Sequence, residues 1–313
     1  MKKIVIRVII LLSMIPKLSY SQQDPQFSMY MFNRQVLNPA YAGSNPFSIT
    51  TAGRSQWVGI DGHPNTFTVS ASAPIQLLRG GIGGYIMADK IGPLSTVAAK
   101  FAYAFKLPVG SNGASLHLGL EGGILQKSLD GTNWRPEMMG DLTLLNQNIS
   151  LTKGDLSTGI YFTLPDDKFY VGVAGAHLLE PKLDAFTQTK NSRVSRGIGL
   201  MTGYRFDLND RVSLTPSFYG KMTKNQMQMD FNANVDIKPM VFGVSYRLRD
   251  SFIGIVGFHV TESLFTAYSY DYTVSGLGAG TSGSHELVLT YTFPTVVKYY
   301  PPDLGTRDKR RFR

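Results

Sequence analysis

Residues Ser95 to Leu107 read STVAAKFAYAFKL and alternate with period two. On an extended chain Val97, Ala99, Phe101, Tyr103, Phe105 and Leu107 share one side, and Thr96, Ala98, Lys100, Ala102, Ala104 and Lys106 share the other. A helix would scatter both sets around its circumference, whereas a strand leaves one apolar and one wet face. Met229 to Lys238 repeats the arithmetic, with Met229, Phe231, Ala233, Val235 and Ile237 opposite Asp230, Asn232, Asn234, Asp236 and Lys238.

Working outward, the same alternation marks about 14 segments between residues 47 and 293, most near the ten or so residues that a tilted membrane-crossing strand needs. One set of connections is short: Gln76 to Arg79, Pro108 to Gly113, Pro165 to Lys168, Asn209 to Arg211, Lys238 with Pro239, and Thr261 to Ser263. The other set holds the longer stretches Ser128 to Gly154, Leu179 to Ser195 and Val274 to Ser284, with Asp250 and Ser251 as a tight exception. This predicts an all-β fold, a transmembrane antiparallel barrel with short periplasmic turns and longer extracellular loops, both termini being periplasmic. A large soluble β-sandwich would also alternate. Against it stand small residues opposite the apolar face (Gly119, Gly123, Gly197, Gly199, Gly203), tyrosines suited to an interfacial girdle (Tyr268, Tyr270, Tyr272), and the edge problem that closure removes. Lys100, Lys106, Asp230, Asn232, Asp236 and Arg54 are expected to face the lumen.

The 313 residues are 43% hydrophobic and 17% charged, against a usual charged share of about a quarter, which disfavours disorder and coiled coils. Residues 1–21 read as a signal peptide: basic Lys2, Lys3 and Arg7, apolar Val8 to Ile15, and small Ser19 and Ser21 before the expected cleavage. No later run approaches the roughly 18 apolar residues of a spanning helix. The net charge of +9 sits at the ends, +4 in residues 1–21 and +4 after Phe293, which leaves +1 for the body. A nucleic-acid binder would carry a basic stripe across its folded region, so no nucleic-acid partner is expected. The absence of cysteine excludes disulfides, a lipidated cysteine and thiolate metal sites. Residues 294–313 form a basic tail on the expected periplasmic side, suited to an acidic machinery surface or to anionic lipid headgroups.

The motifs of enzyme chemistry are missing. There is no GxSxG elbow, no HExxH and no GxxxxGK[ST] loop. His63, His117, His177, His259 and His285 lack ligand spacing, Gly276, Gly278, Gly280 and Gly283 lack the lysine of a phosphate cradle, and Asp166 and Asp167 suit a turn. The sequence therefore predicts no catalytic residues, no metal and no cofactor, in a protein that is not an enzyme.

Two stretches fit a generic barrel wall poorly. Residues 22–46 hold Phe27, Tyr30, Phe32 and Tyr41 without a clean period and need a surface, as a lumen plug or a docking segment. The second, GRSQWVGIDGHP from Gly53 to Pro64, places Arg54 and Gln56 on one face and Trp57 at a strand end. With QDPQFSMYMFN, LNPAYAG, GRSQWVGIDGHPNTF and the terminal LTYTF, the chain resembles over essentially its whole length the PorP/SprF family of type IX secretion system membrane proteins of Bacteroidetes. The resemblance implies an outer-membrane barrel of a Gram-negative bacterium that supports protein secretion or the surface anchoring of cargo such as adhesins, in some members linked to gliding motility. Its implied partners are membrane lipid, the secreted cargo or adhesin, and periplasmic secretion or motility machinery. The signature and candidate partner-binding positions map onto Phe32, Asn33, Asn38, Pro39, Ala40, Tyr41, Gly43, Arg54, Gln56, Trp57, Gly59, Asp61, Gly62 and Pro64. The same wall pattern also permits a passive outer-membrane channel for small or hydrophobic solutes.

Overall fold

The computed structural model describes residues 24–131, 148–183, 193–224 and 226–294. The expected signal peptide, the centres of the two longest connections, and the tail beyond Pro294 lie outside the described residues.

The strands are β1 (Ser48–Ser55), β2 (Asn65–Ile75), β3 (Gly80–Ile91), β4 (Leu94–Val109), β5 (Ala114–Leu129), β6 (Ile149–Thr163), β7 (Phe169–Ala176), β8 (Gly197–Tyr204), β9 (Phe206–Asn209), β10 (Val212–Thr223), β11 (Met227–Ile237), β12 (Met240–Arg247), β13 (Ser251–His259), β14 (Leu264–Thr273) and β15 (Ser284–Thr292). β8 and β9 are one wall strand interrupted at Arg205, and both pair with β10, so the wall counts 14 staves. All pairings are antiparallel between sequence neighbours, and the ring closes where β1 pairs β15 from Ser48↔Thr292 to Ser55↔His285. Phe47 and Phe293 stack beside this seam with ring centroids 4.3 Å apart. The expected barrel is therefore closed into a single ring of paired strands.

Parity along each strand divides lipid from lumen. Phe231 is 50% exposed on the outside while Asn232, one residue on, is 5% exposed in the lumen. Phe101, Leu120, Ile124, Val244, Phe252 and Leu287 face outward, and Arg54, Lys100, Asp230 and Asn232 are buried inside. Two expected lumen residues differ. Lys106 is exposed and Asp236 half-buried, because both lie beside the strand-end turns where the lumen opens to water. The outward apolar surface of β5 and β6 ends at Ile124 and Leu156, above which Gln126, Ser128, Ser150 and Thr152 are polar.

The two ends of the barrel differ, and we call them the turn end, where β1 begins, and the loop end. The turn end carries the short connections. The loop end carries the two long ones, but its tight turns are more numerous than the single expected one: Gly92 with Pro93, the link from Thr223 to Met227, and Leu248 to Asp250.

Candidate functional site in the barrel lumen

Residues 24–44 run inside the ring, and exposed Asn45 to Phe47 lead into β1. The segment starts at the loop end, where Asp24 meets His177 and Lys221, and descends past Tyr30, whose hydroxyl is 2.8 Å from Ser217 Oγ on β10. It then reaches Asp167 at the turn end through Arg34. Three 3₁₀ turns, Tyr30–Phe32, Arg34–Val36 and Pro39–Tyr41, satisfy part of its backbone locally. This explains the missing period: a chain threaded through a tube is contacted on all sides, so no face alternates.

The wall is shaped to receive it. Asn38, fully buried, caps the third turn by accepting from the Ala40 amide at 2.9 Å, and its Nδ2 donates to the carbonyls of Ile160 (3.2 Å) and Val173 (3.4 Å). Pro39 occupies the first position of that turn, where no amide donor is needed. Ala40 lies on Gly119, where a Cβ would overlap the Ala40 backbone, and Gly43, at φ +70°, lies against Gly81 with equal closeness. The Gly43 amide donates to Ser72 Oγ at 2.8 Å. Asn33 accepts from Ser70 Oγ at 2.8 Å and donates to Thr68 Oγ1. Phe32 packs on Phe265, Tyr41 meets Tyr161 edge-on, and the Arg34 guanidinium lies 3.9 Å from the centre of the Tyr170 ring.

Two ionic clusters clasp the segment near the loop end. In the first, Arg54 donates to Ser28 Oγ at 2.8 Å and pairs with Asp271 at 2.7 Å and Glu286 at 3.1 Å. Arg247 pairs with Asp230 at 3.0 Å and donates to the Phe27 carbonyl and Ser28 Oγ. Glu286 in turn accepts from the amides of Ser28 (2.7 Å) and Met29 (3.2 Å), while Gln56 donates to Gln26 at 3.0 Å. The carboxylates of this cluster, Asp230 on β11, Asp271 on β14 and Glu286 on β15, are wall residues, and each has a side chain about 1% exposed. In the second cluster, Lys100 pairs with Asp155 at 2.7 Å and Glu121 at 3.5 Å, and His177 bridges Asp155 (2.7 Å) and Asp24 (3.0 Å). Burial opposes protonation of His177, but the carboxylates of Asp24 and Asp155 outweigh it and push its pKa up to about 9.

The remaining signature residues build a loop above the Arg54 cluster. Trp57 adopts φ 55° and donates its amide to Ser284 Oγ at 3.0 Å, and the Gln56 amide donates to the Pro64 carbonyl. Val58 exchanges backbone bonds with Gly283 and Ser282, and Gly62, at φ +72°, accepts from the Gly92 amide. Gly59, at φ +101°, approaches Ser282, whereas Asp61 is exposed. The signature positions thus fall into one connected construction of lumen segment, clasp and overlying loop. Sequence reasoning did not single out Ser28, Asp271, Arg247 or Glu286 as the other half of the clasp. For Arg247, Asp271 and Glu286 the signal was a charged residue at inward parity on a strand; Ser28, in the aperiodic lumen segment, gave none.

Residues 19–291 match the family described as type IX secretion system membrane protein PorP/SprF. The chain belongs to the PorP/SprF family. No curated relative matches it. Among solved structures, the PorP/SprF chain is similar to the Ralstonia pickettii toluene transporter TbuX at 11% identity and TM-score 0.47, over 82% of this chain and 92% of that one. It is similar also to the Acinetobacter baumannii outer membrane protein Omp33, at 10% identity and TM-score 0.46, over 79% and 99%. A Pseudomonas aeruginosa FadL homologue follows at 14% identity and TM-score 0.39, over 79% and 90%. The family assignment rests on the sequence match, and the outer-membrane barrel fold on the strands described above.

Proposed function

We propose that this PorP/SprF chain is a non-enzymatic anchor of the type IX secretion system, a closed outer-membrane barrel that retains secreted cargo, such as an adhesin, at its loop end. On this reading the loops are extracellular, the turns and both termini periplasmic, and the basic tail from Pro294 meets periplasmic secretion or motility machinery. The observation that carries it is the occupied lumen: a signature-bearing segment clasped by Arg54, Asp271 and Glu286 fills the space a solute would use. A passive channel is less well supported, since the segment occupies the lumen and leaves beside it discrete cavities of about 90 Å³ near Asp24 and about 250 Å³ on each of two sides of Phe32 and Arg34.

The test is surface display of cargo in cells whose only copy lacks residues 22–45. The wall strands and the closing β15 remain, so the barrel is expected to insert while cargo is lost from the surface. Cargo that stays secreted and attached would overturn the assignment.

A further inference from the structure

β6 pairs with β5 along its whole length, from Ile149↔Leu129 to Thr163↔Ser115. Its ladder with β7 covers only Thr158↔Gly175 to Thr163↔Tyr170. At His177, φ 55°, the chain after β7 turns into the lumen to reach Asp24 and Asp155. The last described bond on that edge is from the Leu178 amide to the Leu156 carbonyl at 2.9 Å.

Parity identifies which groups are left. The N–H and C=O of one strand residue point to the same side, and every second residue repeats the direction. The Leu164 amide donates to Phe169, and the Leu156 carbonyl accepts from Leu178, so even-numbered residues of β6 address the β7 side. The backbones of Ser150, Thr152 and Gly154 therefore point where, among the described residues, no strand lies. Their side chains and those of Gln126 and Ser128 make a polar outer surface above the apolar belt, and a Cβ added at Gly154 meets open space. A polar outer surface of this kind suits contact with water above the apolar belt.

The surroundings are basic. Lys153 lies on the strand itself; Lys182 and Arg193 form an antiparallel bridge just beyond Leu178; Arg196 donates to the Leu178 carbonyl at 3.2 Å, and all four are exposed. On the two connections that flank this edge the described acidic residues are Asp130 and Glu180, the latter 3.5 Å from Arg196, while Asp61 and Asp250 lie on other connections of the loop end. An unpaired ladder edge supplies main-chain donors and acceptors for an added strand, and a basic rim selects its charge.

We propose that Ser150 to Gly154 of β6 is a strand-addition site for an acidic, extended segment of a partner polypeptide at the loop end. It deepens the anchor reading by naming the surface that holds the partner, and it rests on that reading for the loop end being outside the cell. Anionic lipid headgroups would answer the charge but not the ladder.

The experiment places photo-reactive p-benzoylphenylalanine at Gly154 in whole cells with their secretion system intact, then identifies adducts by mass spectrometry. The expected result is a polypeptide adduct whose cross-linked stretch is net acidic. Adding Thr152→Pro removes an amide that faces the vacant side and leaves the β5 ladder whole, so the barrel stays heat-modifiable while the adduct falls about tenfold, the equivalent of one or two hydrogen bonds. Leu151→Pro, which removes an amide bonded to β5, should impair assembly, and Arg196→Glu should lower the adduct severalfold in a salt-dependent way. No adduct, a lipid adduct alone, or a polypeptide adduct indifferent to Thr152→Pro would overturn the proposal. If cargo display needs the barrel but tolerates Thr152→Pro, this inference fails and the anchor reading stands. If display does not need the barrel, the anchor reading itself fails.

Discussion

Arg54→Met isolates the clasp from the wall. Arg54 bonds Ser28 Oγ, Asp271 and Glu286, and methionine keeps its volume while removing the charge. Breaking a buried ion pair by deleting one partner costs about 3–5 kcal/mol. The lower end applies, because Glu286 retains the Ser28 and Met29 amides while Asp271 retains the Ser28 hydroxyl at 2.6 Å and Arg247 at 3.4 Å. About 3 kcal/mol corresponds to roughly a hundredfold rise in the open population of the lumen segment. The main chain at Arg54 remains paired with Glu286 on β15 and Thr66 on β2, so the ring stays closed. Amide hydrogen exchange in detergent or lipid discs reads this directly: the Ser28 and Met29 amides should exchange about a hundredfold faster, with β1 and β15 unchanged. Unchanged exchange at Ser28 and Met29 in a folded barrel would refute the clasp, and collapse of the barrel would show that Arg54 holds the wall instead.

Gly119→Val should push Ala40 off the wall at a cost of about 1–3 kcal/mol or more, seen as new protease cleavage between Asn33 and Gly43 while heat-modifiability persists. Phe231→Arg, on the lipid face, should impair membrane assembly by about 2–4 kcal/mol, whereas Asn232→Ser should insert at a cost of about 1 kcal/mol, both followed by urea unfolding in lipid vesicles. The pKa of His177, held near 9 against an ordinary value near 6.5, gives a contribution that is full below about pH 6.5 and lost as pH rises through about 9. Hydrogen exchange at Asp24 to Phe27, corrected for intrinsic rates, should therefore show extra loosening between about pH 7 and pH 10, and His177→Gln should abolish that step.

The barrel was legible because its rule is local. One residue of parity separates Phe231 from Asn232, and the lipid penalty for a misplaced charge makes that parity strict. Ends of strands were less legible. β6 begins at Ile149, several residues before the apolar alternation starts, because its first residues are polar on their outer side and are held by β5 and not by lipid. The split at Arg205 left no trace in the alternation pattern. The lumen segment announced itself only as apolar residues without a period. Its partners are the glycines of other strands, and nothing in the spacing of Ala40 and Gly119, or of Ser28 and Glu286, says that they touch. Contacts across |i−j| of hundreds are fixed by ring closure and cannot be read from either end alone.

Ionic current through the purified full-length protein in planar lipid bilayers tests the central claim most directly, that the chain closes its own lumen. The expected result for the native protein is a silent bilayer, with pore-sized steps appearing once residues 22–45 are deleted from an otherwise folded barrel. Stable, large-conductance steps from the native protein would contradict it and return the channel reading to first place.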